Sequence, residues 1–131
     1  MSEPTLKLLD MPTLAAAGGG TRRLAYWDWQ GPSTVDASHV VVCVHGLSRQ
    51  GRDFDTLARA LSHRVRVLAV DVCGRGRSDW LADPMGYGIP TYVADMVTLL
   101  ARLDAEQVDW LGTSMGGLIG LGLAALPGSP L

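Results

Sequence analysis

Ser114 stands at the centre of Gly112-Thr113-Ser114-Met115-Gly116, which matches the pattern G-x-S-x-G. In this pattern the serine lies on a tight turn between a strand and a helix, where a strained backbone raises its hydroxyl group for nucleophilic attack. Small residues are needed two positions before and after the serine, and Gly112 and Gly116 meet that requirement. The start of the following helix places partial positive charge near a developing oxyanion. A glycine-rich turn without catalysis is the alternative, but the apolar runs on both sides of the motif favour the catalytic interpretation.

A second group of residues with potential chemistry is His45-Gly46-Leu47-Ser48, which follows a run rich in valine. Acyl transfer needs two N–H groups that point at the tetrahedral intermediate, and the residue after the nucleophile, Met115, supplies one. We expect the N–H of Leu47 to supply the other, because Gly46 allows the backbone to turn and approach the site. His45 could act as a general base, but its place on the oxyanion side favours a residue that shapes the loop through hydrogen bonds to the backbone.

The elements around these motifs alternate between strands and helices. Runs rich in β-branched or aromatic residues predict strands at residues 24–29, 40–44, 65–72 and 108–112. Apolar residues at helical spacing predict a helix capped by Asp53 that ends near residue 61, a second helix from Pro90 to residue 103, and a third from Ser114 to residue 126. The third is apolar on all sides, which predicts burial on every side. This alternation predicts an α/β fold with a mainly parallel sheet and flanking helices.

Length and composition exclude several other classes of protein. A chain of 131 residues with 47% hydrophobic and 18% charged residues fits one ordered domain with its own core. The net charge is −2 and no long basic run occurs, which disfavours nucleic acid as a partner. Cys43 and Cys73 lie in or beside predicted strands and are expected to be buried thiols. No metal-ligand spacing occurs, so we expect neither a metal nor a cofactor.

The beginning of the chain has a different character from the rest. Residues 15–20 are three alanines followed by three glycines, and we expect residues 1–20 to be a mobile lead-in. Charged side chains and the lack of a long apolar stretch argue against a secretory signal or a membrane span in this segment. The expectation is therefore a cytoplasmic protein without membrane contact.

Taken together, these motifs give the chain a resemblance to the N-terminal half of an α/β-hydrolase-fold serine hydrolase of the esterase and lipase kind. The matching features occur in family order over residues 21–127: an aromatic strand at 26–29, Val-His-Gly-Leu at 44–47, D-x-x-G-x-G-x-S from Asp71 to Ser78, a helix at 92–103, and Gly-Thr-Ser-Met-Gly-Gly at 112–117. The resemblance implies that Ser114 is the nucleophile and that Leu47 and Met115 form the oxyanion hole. It also implies that Asp71 and Ser78 tie loops together around the site.

In this family the catalytic triad follows the order Ser, then Asp or Glu, then His. No Asp, Glu or His follows Ser114 in the sequence. We therefore expect residues 21–131 to be a partial α/β-hydrolase domain, truncated after the nucleophile helix, that lacks the acid, the base and any lid. Without later strands, residues 108–112 are expected to form an exposed sheet edge through which the chain self-associates.

The resemblance implies a serine hydrolase that acts on a small-molecule carboxylic ester, thioester or lactone through an acyl-enzyme, with little activity in this chain alone. Hydrolysis of a C–C bond with the same triad is a close variant. A non-catalytic module that binds a small apolar ligand is the alternative from another class, and an unstable piece without a function of its own is a third. The sequence leaves the identity of the substrate open.

Overall fold

The computed structural model of the protein describes residues 3–13, 18–32, 35–129 and 131. Within these residues the chain forms five strands and three α-helices. In chain order they are β1 (Thr5–Pro12), β2 (Thr21–Trp29), β3 (His39–Val44), α1 (Asp55–Leu61), β4 (Arg66–Val70), α2 (Ile89–Arg102), β5 (Gln107–Gly112) and α3 (Met115–Ala124). No helix in this described part of the chain has the length and apolar character needed to cross a membrane.

The five strands form one sheet in the order β1-β2-β4-β3-β5. Strands β4, β3 and β5 run parallel, whereas β2 is antiparallel to both β1 and β4. The pairing aligns Val44 at the end of β3 with Val70 on one side and Gly112 on the other. Three carboxyl ends therefore meet at one edge of the sheet, which is where ligands bind in open α/β sheets. The predicted α/β class is confirmed, with the parallel arrangement confined to these three strands.

The expectation that residues 1–20 are a mobile lead-in is wrong for residues 5–12, which form strand β1. Thr5–Pro12 pairs with β2 along its whole length. Met11 is fully buried and Lys7 forms an ion pair with Asp28, so both apolar and electrostatic contacts hold the strand in the sheet. Residues 14–17, in the small-residue stretch that suggested mobility, lie outside the described residues.

Helix α1 begins without the cap that the sequence predicts. Its N-cap residue is Phe54, which provides no side-chain cap. Asp53 lies instead in a 3₁₀ turn, where its carboxylate accepts a hydrogen bond from Nε of Arg49 at 2.6 Å. The expected capping role of Asp53 is therefore wrong, because its carboxylate is bonded to the guanidinium of Arg49.

Apolar cores lie on both faces of the sheet, because successive residues of β3 point to opposite sides. The larger core packs residues of α2 and α3, such as Met96 and Ile119, against strand residues such as Val42. The smaller core packs Ala58 of α1 against Cys43 and its neighbours. Both cysteines are buried free thiols, as predicted, and burial raises the pKa of Cys43 to about 12.

Strand β5 forms an edge of the sheet, since among the described strands it pairs with β3 alone. Helix α3 beside it leaves Leu118 56% and Leu121 68% exposed, so the described residues do not provide the cover that its all-apolar pattern calls for. An open strand and exposed leucines together are features that favour association. Self-association through this edge stays a prediction.

On the interior strand β2, the carboxylate of Asp28 joins three strands. It is fully buried and accepts hydrogen bonds from Lys7 of β1 at 2.6 Å and from Arg66 of β4 at 2.8 and 3.0 Å. Burial acts to raise the pKa of Asp28, but the hydrogen bonds from Arg66 and Lys7 outweigh it and hold the pKa below its ordinary value. The ionised group therefore contributes stability above the ordinary pKa, and this contribution is lost as the pH falls through the lowered pKa.

Replacing Asp28 with Asn is expected to lower the free energy of unfolding at neutral pH by about 3 kcal/mol, because two cations lose their buried anionic partner. Urea unfolding followed by circular dichroism measures the change. Asp10→Asn, at an exposed position of the same hairpin, is the control, with an expected change below about 0.5 kcal/mol. Equal unfolding free energies for the two variants would show that the Asp28 cluster adds nothing to stability.

Candidate active site

Ser114 occupies the turn between the end of β5 and the start of α3. With φ of 53° and ψ of −111°, it is the one non-glycine residue with a positive φ in the described part of the chain. This conformation is strained for a residue with a side chain, and such strain persists where the surrounding structure imposes it. The N–H groups of Gly117 and Leu118 donate to the carbonyl of Ser114 at 2.9 and 3.2 Å. The strand, turn and helix that the motif predicts are therefore present.

The two glycines of the motif are required by the close packing of backbone segments. A Cβ atom on Gly112 would collide with the backbone of Gly116, and a Cβ atom on Gly116 would collide with the carbonyl groups of Val44 and His45. The N–H of Thr113 donates to the carbonyl of Val44 at 3.0 Å. The start of α3 therefore lies directly against the end of β3.

Trp110 of β5 also holds the first turn of α3. Its indole N–H donates to the carbonyl of Gly116 at 2.9 Å. The ring fits against α3 because Gly120 has no side chain, and a Cβ atom there would collide with the indole. The sequence does not predict this contact of Trp110, because nothing in a strand pattern shows which helix residue a side chain will contact.

Ser114 faces a cleft of about 480 Å³ that both predicted oxyanion donors also line. Leu47 is 65% exposed and Met115 is buried, yet neither backbone N–H forms a hydrogen bond with another described residue. Two free N–H groups beside a serine suit the stabilisation of an oxyanion. A Cβ atom on Gly46 would meet the Cβ of Ser114 at 3.7 Å, which is an ordinary contact, and the φ of Gly46 is not positive. Neither crowding nor backbone conformation therefore requires a glycine here, contrary to the expectation from the sequence.

His45 is buried and holds the loop of residues 45–48, here called the oxyanion loop after its predicted role. Its Nε2 accepts a hydrogen bond from the N–H of Val72 at 3.0 Å, so the ring proton is on Nδ1, which donates to the carbonyl of Gly46 at 2.7 Å. That carbonyl and the N–H of Leu47 belong to one planar peptide group and point in opposite directions. His45 therefore orients the N–H of Leu47, and with both ring nitrogens occupied it has no free nitrogen to take a proton from Ser114.

The pKa of His45 is lowered, chiefly because burial disfavours the charged ring and despite the opposing effect of its hydrogen bond to Gly46. A proton on Nε2 would also replace the acceptor that the N–H of Val72 needs. The unfolded state therefore binds this proton more readily than the native state. The stability that depends on neutral His45 is complete above the ordinary pKa of about 6.5 and is lost as the pH falls through the lowered pKa.

Asp71 and Ser78 connect loops beneath the site. The carboxylate of Asp71 accepts hydrogen bonds from the N–H groups of Gly51 and Arg77 at 2.7 and 2.9 Å. The hydroxyl of Ser78 donates to the carbonyl of Asp71 at 2.6 Å and accepts from the N–H of Ala25 at 2.8 Å. These contacts join β2, the loop before α1 and the loop after β4, as the family resemblance implies.

The other two histidines lie away from Ser114. His39 begins β3, and its Nε2 lies 2.6 Å from Oδ2 of Asp109. His39 lies five residues before Val44, the last residue of β3, which is about 17 Å along the strand from the carboxyl edge of the sheet. His63 follows α1 just before β4 begins, again at the amino edge. No histidine in the described part of the chain is therefore placed to act as the base for Ser114.

The cleft also contains side chains that the sequence analysis did not assign, among them Arg75, Tyr87, Ile89 and Tyr92. Arg75 connects this wall to the oxyanion loop, because its Nε donates to the carbonyl of Leu47 at 3.0 Å. Its position inside D-x-x-G-x-G-x-S was a signal that it lies near the site. No pattern marks the two tyrosines, which reach the cleft through the tertiary fold.

Known proteins are similar to this chain in both sequence and fold. The family model described as alpha/beta hydrolase fold matches residues 39–130. The chain belongs to the α/β-hydrolase fold family. A 3-hydroxybutyrate-oligomer hydrolase from Cupriavidus necator is 61% identical to it over 112 residues, which cover 86% of this chain and 37% of that protein.

Solved structures of α/β hydrolases contain the same arrangement. An alpha/beta hydrolase from Novosphingobium aromaticivorans matches with a TM-score of 0.81 and 34% identity, over 100% of this chain and 42% of that one. The thioesterase domain from the curacin biosynthetic pathway matches with a TM-score of 0.82 and 25% identity, over 98% of this chain and 44% of that one. The chain therefore spans less than half the length of these relatives.

Replacing His45 with Gln is expected to lower the free energy of unfolding at pH 8 by about 1–3 kcal/mol, because buried backbone groups lose a hydrogen-bond partner. It should also flatten the decline in stability between pH 7 and pH 5, since Gln does not titrate. Urea unfolding across this pH range measures both effects. The exposed variant His63→Gln should keep the full decline, and the interpretation fails if both variants show the same pH dependence.

Proposed function

We propose that this chain is part of a serine hydrolase that cleaves a carboxylic ester, thioester or lactone through an acyl-enzyme. The observation that carries the proposal is the strained backbone of Ser114 beside the free N–H groups of Leu47 and Met115. The relative from Cupriavidus necator is named for the hydrolysis of 3-hydroxybutyrate oligomers, which supports an ester of a hydroxy acid as the substrate.

In the proposed reaction, the Oγ of Ser114 attacks the carbonyl carbon of the ester while its proton passes to a base. The carbonyl oxygen becomes an oxyanion that accepts hydrogen bonds from Leu47 and Met115. Collapse of this intermediate breaks the bond to the alcohol, which takes up the proton and leaves the acyl group on Ser114. Water then attacks the acyl-enzyme in the same way and releases the acid.

The base and its orienting acid belong to residues outside this chain in the proposed enzyme. Among the described residues, His45 has both nitrogens bonded and the other histidines lie at the amino edge of the sheet. A triad histidine and carboxylate in the remaining length of the relatives would complete the site.

A non-catalytic module that binds a small apolar ligand is the second candidate. The aliphatic and aromatic lining of the cleft favours it, and so does the lack of a base beside Ser114 among the described residues. This candidate differs from the first in one respect that can be measured, because it involves no covalent reaction at Ser114.

In a protein of the relatives' length, Ser114 is expected to react with a fluorophosphonate probe, because an activated serine attacks phosphorus as it attacks a carbonyl carbon. Mass spectrometry of the labelled peptide identifies the residue. Ser114→Ala should abolish labelling, whereas Ser48→Ala, which removes an exposed serine of the oxyanion loop, should retain it. Labelling that survives Ser114→Ala would refute the nucleophile, and a protein that never labels would favour the binding module.

The 131-residue chain alone is expected to hydrolyse an activated ester such as p-nitrophenyl butyrate only weakly. Without a base, the oxyanion hole and binding leave roughly 10³–10⁴-fold acceleration over water. A spectrophotometric assay with Ser114→Ala as the blank measures this rate. Saturable, Ser114-dependent turnover as fast as that of the longer protein would contradict the prediction and would mean that a group within these 131 residues acts as the base.

A further inference from the structure

Arg75 introduces charge into the cleft that contains Ser114. Among the described residues that line the cleft, it is the one with a formal charge. The side chains around it are chiefly aromatic or aliphatic, such as Tyr87, Ile89 and Leu118. Because apolar walls weaken screening by water, a cation in such a cleft favours ligands that carry negative charge.

Contacts within the protein hold the guanidinium of Arg75 in one position and leave part of it unused. Nε donates to the carbonyl of Leu47 at 3.0 Å, and Nη1 donates to the carbonyl of Cys73 at 2.8 Å and to the hydroxyl of Tyr92 at 2.9 Å. The guanidinium also lies 5.3 Å from the ring centroid of Tyr92 and 5.9 Å from that of Tyr87. Nη2 has no hydrogen-bond partner among the described residues, so two N–H groups remain for a ligand.

The charge of Arg75 has no counter-ion in the described part of the chain. The other arginines that are at least partly buried there all pair with a carboxylate, namely Arg22, Arg52, Arg59 and Arg66. Arginines without a pair elsewhere are exposed, where water solvates their charge. A partly buried and rigidly held guanidinium without a counter-ion suits an anionic ligand.

A neighbouring carboxylate does not supply that counter-ion. On its other side, Arg75 borders a polar cavity of about 360 Å³ whose lining includes Asp53. The carboxylate of Asp53 is bonded to Arg49 at 2.6 Å. The free donors of Arg75 therefore remain available at the boundary between this cavity and the cleft.

We propose that Arg75 binds a carboxylate group of the substrate, so that the cleft prefers esters with a free carboxylate over uncharged esters. The inference rests on the proposed function, since the ester bond of the same molecule would lie at Ser114. The proposed substrates are esters of a hydroxy acid in which one end of the molecule is a free carboxylic acid. Arg75 acts as a specificity-determining residue, and its bond to Leu47 connects the carboxylate site to the oxyanion loop.

The test uses the Ser114→Ala variant of a protein of the relatives' length, which cannot hydrolyse the ligands. It measures how tightly this variant binds two of them. One is the linear dimer of 3-hydroxybutyrate with its free carboxylate, and the other is the methyl ester of that dimer. Isothermal titration calorimetry gives a Kd for each, and tighter binding of the free acid is expected. Arg75→Gln should reduce this preference about tenfold or more, because hydrogen bonds between charged groups are the strong ones.

Two further variants separate the role of Arg75 from general effects. Arg77→Gln removes an exposed cation from the same loop and should leave the preference unchanged. Arg75→Lys keeps the charge and should keep a smaller preference, because the three N–H groups of an ammonium cannot bond Leu47, Cys73 and Tyr92 and also a ligand. In the protein with Arg75 intact, the Nε–H resonance of Arg75 should shift on titration with the acid but not with the methyl ester, which requires no variant at this position.

Several results would overturn the proposal. They are failure of the free acid to bind, equal Kd values for the two ligands, equal effects of Arg75→Gln and Arg77→Gln, or an Arg75→Gln protein that binds both ligands more weakly by the same factor. The last result would reduce Arg75 to a residue that holds the shape of the cleft. Equal Kd values would also be the result if a carboxylate from another part of the protein occupied Arg75.

This test and the test of the nucleophile can fail separately. A protein that reacts with fluorophosphonate at Ser114 but shows no preference for the free acid would overturn the role of Arg75 alone. A protein that does not react at Ser114 but keeps an Arg75-dependent preference would overturn the catalytic proposal alone.

Discussion

The close approach of three backbone segments at Gly112 and Gly116 is the constraint on which the rest of the site depends. The end of β5, the end of β3 and the first turn of α3 meet there without space for a Cβ atom. This contact holds Ser114 in the left-handed region of backbone conformation and places it beside the oxyanion loop. A side chain at either glycine would push α3 away from β3, and Ser114 and the N–H of Leu47 would no longer face the same cleft.

Buried polar groups maintain the geometry of the loops around this contact. His45 and Asp71 bond backbone groups from separate segments at the carboxyl edge of the sheet, while Asp28 joins strands at the amino edge. Hydrogen bonds have directional requirements that apolar contacts lack, so they determine where a peptide N–H points. The loops that form the site are thus oriented by polar contacts, and the strands beneath them are held mainly by apolar packing.

Features that depend on neighbouring residues could be predicted from the sequence, and features that depend on distant pairing could not. The motif around Ser114 encodes its own steric requirements within five residues, and four strands show a local apolar pattern. Strand β1 lacks such a pattern because charged residues such as Lys7 interrupt it, and it becomes a strand through pairing with β2. Arg75 and Tyr92 meet the oxyanion loop only in the folded chain, so no spacing indicated their contact.

The strand order also determines how the protein assembles during synthesis. Strand β3 lies between β4 and β5 in the sheet, but β4 ends at Val70 and β5 begins only at Gln107. On the ribosome, the residues between them take on the order of seconds to make. During that interval the partner of β3 on one side has not been made, and we expect its valine-rich edge to be open to pairing with other chains. Ser114 follows β5, and the contact of β5 and α3 with β3 imposes its strained backbone, so we expect the proposed nucleophile to take its conformation only after this edge has closed.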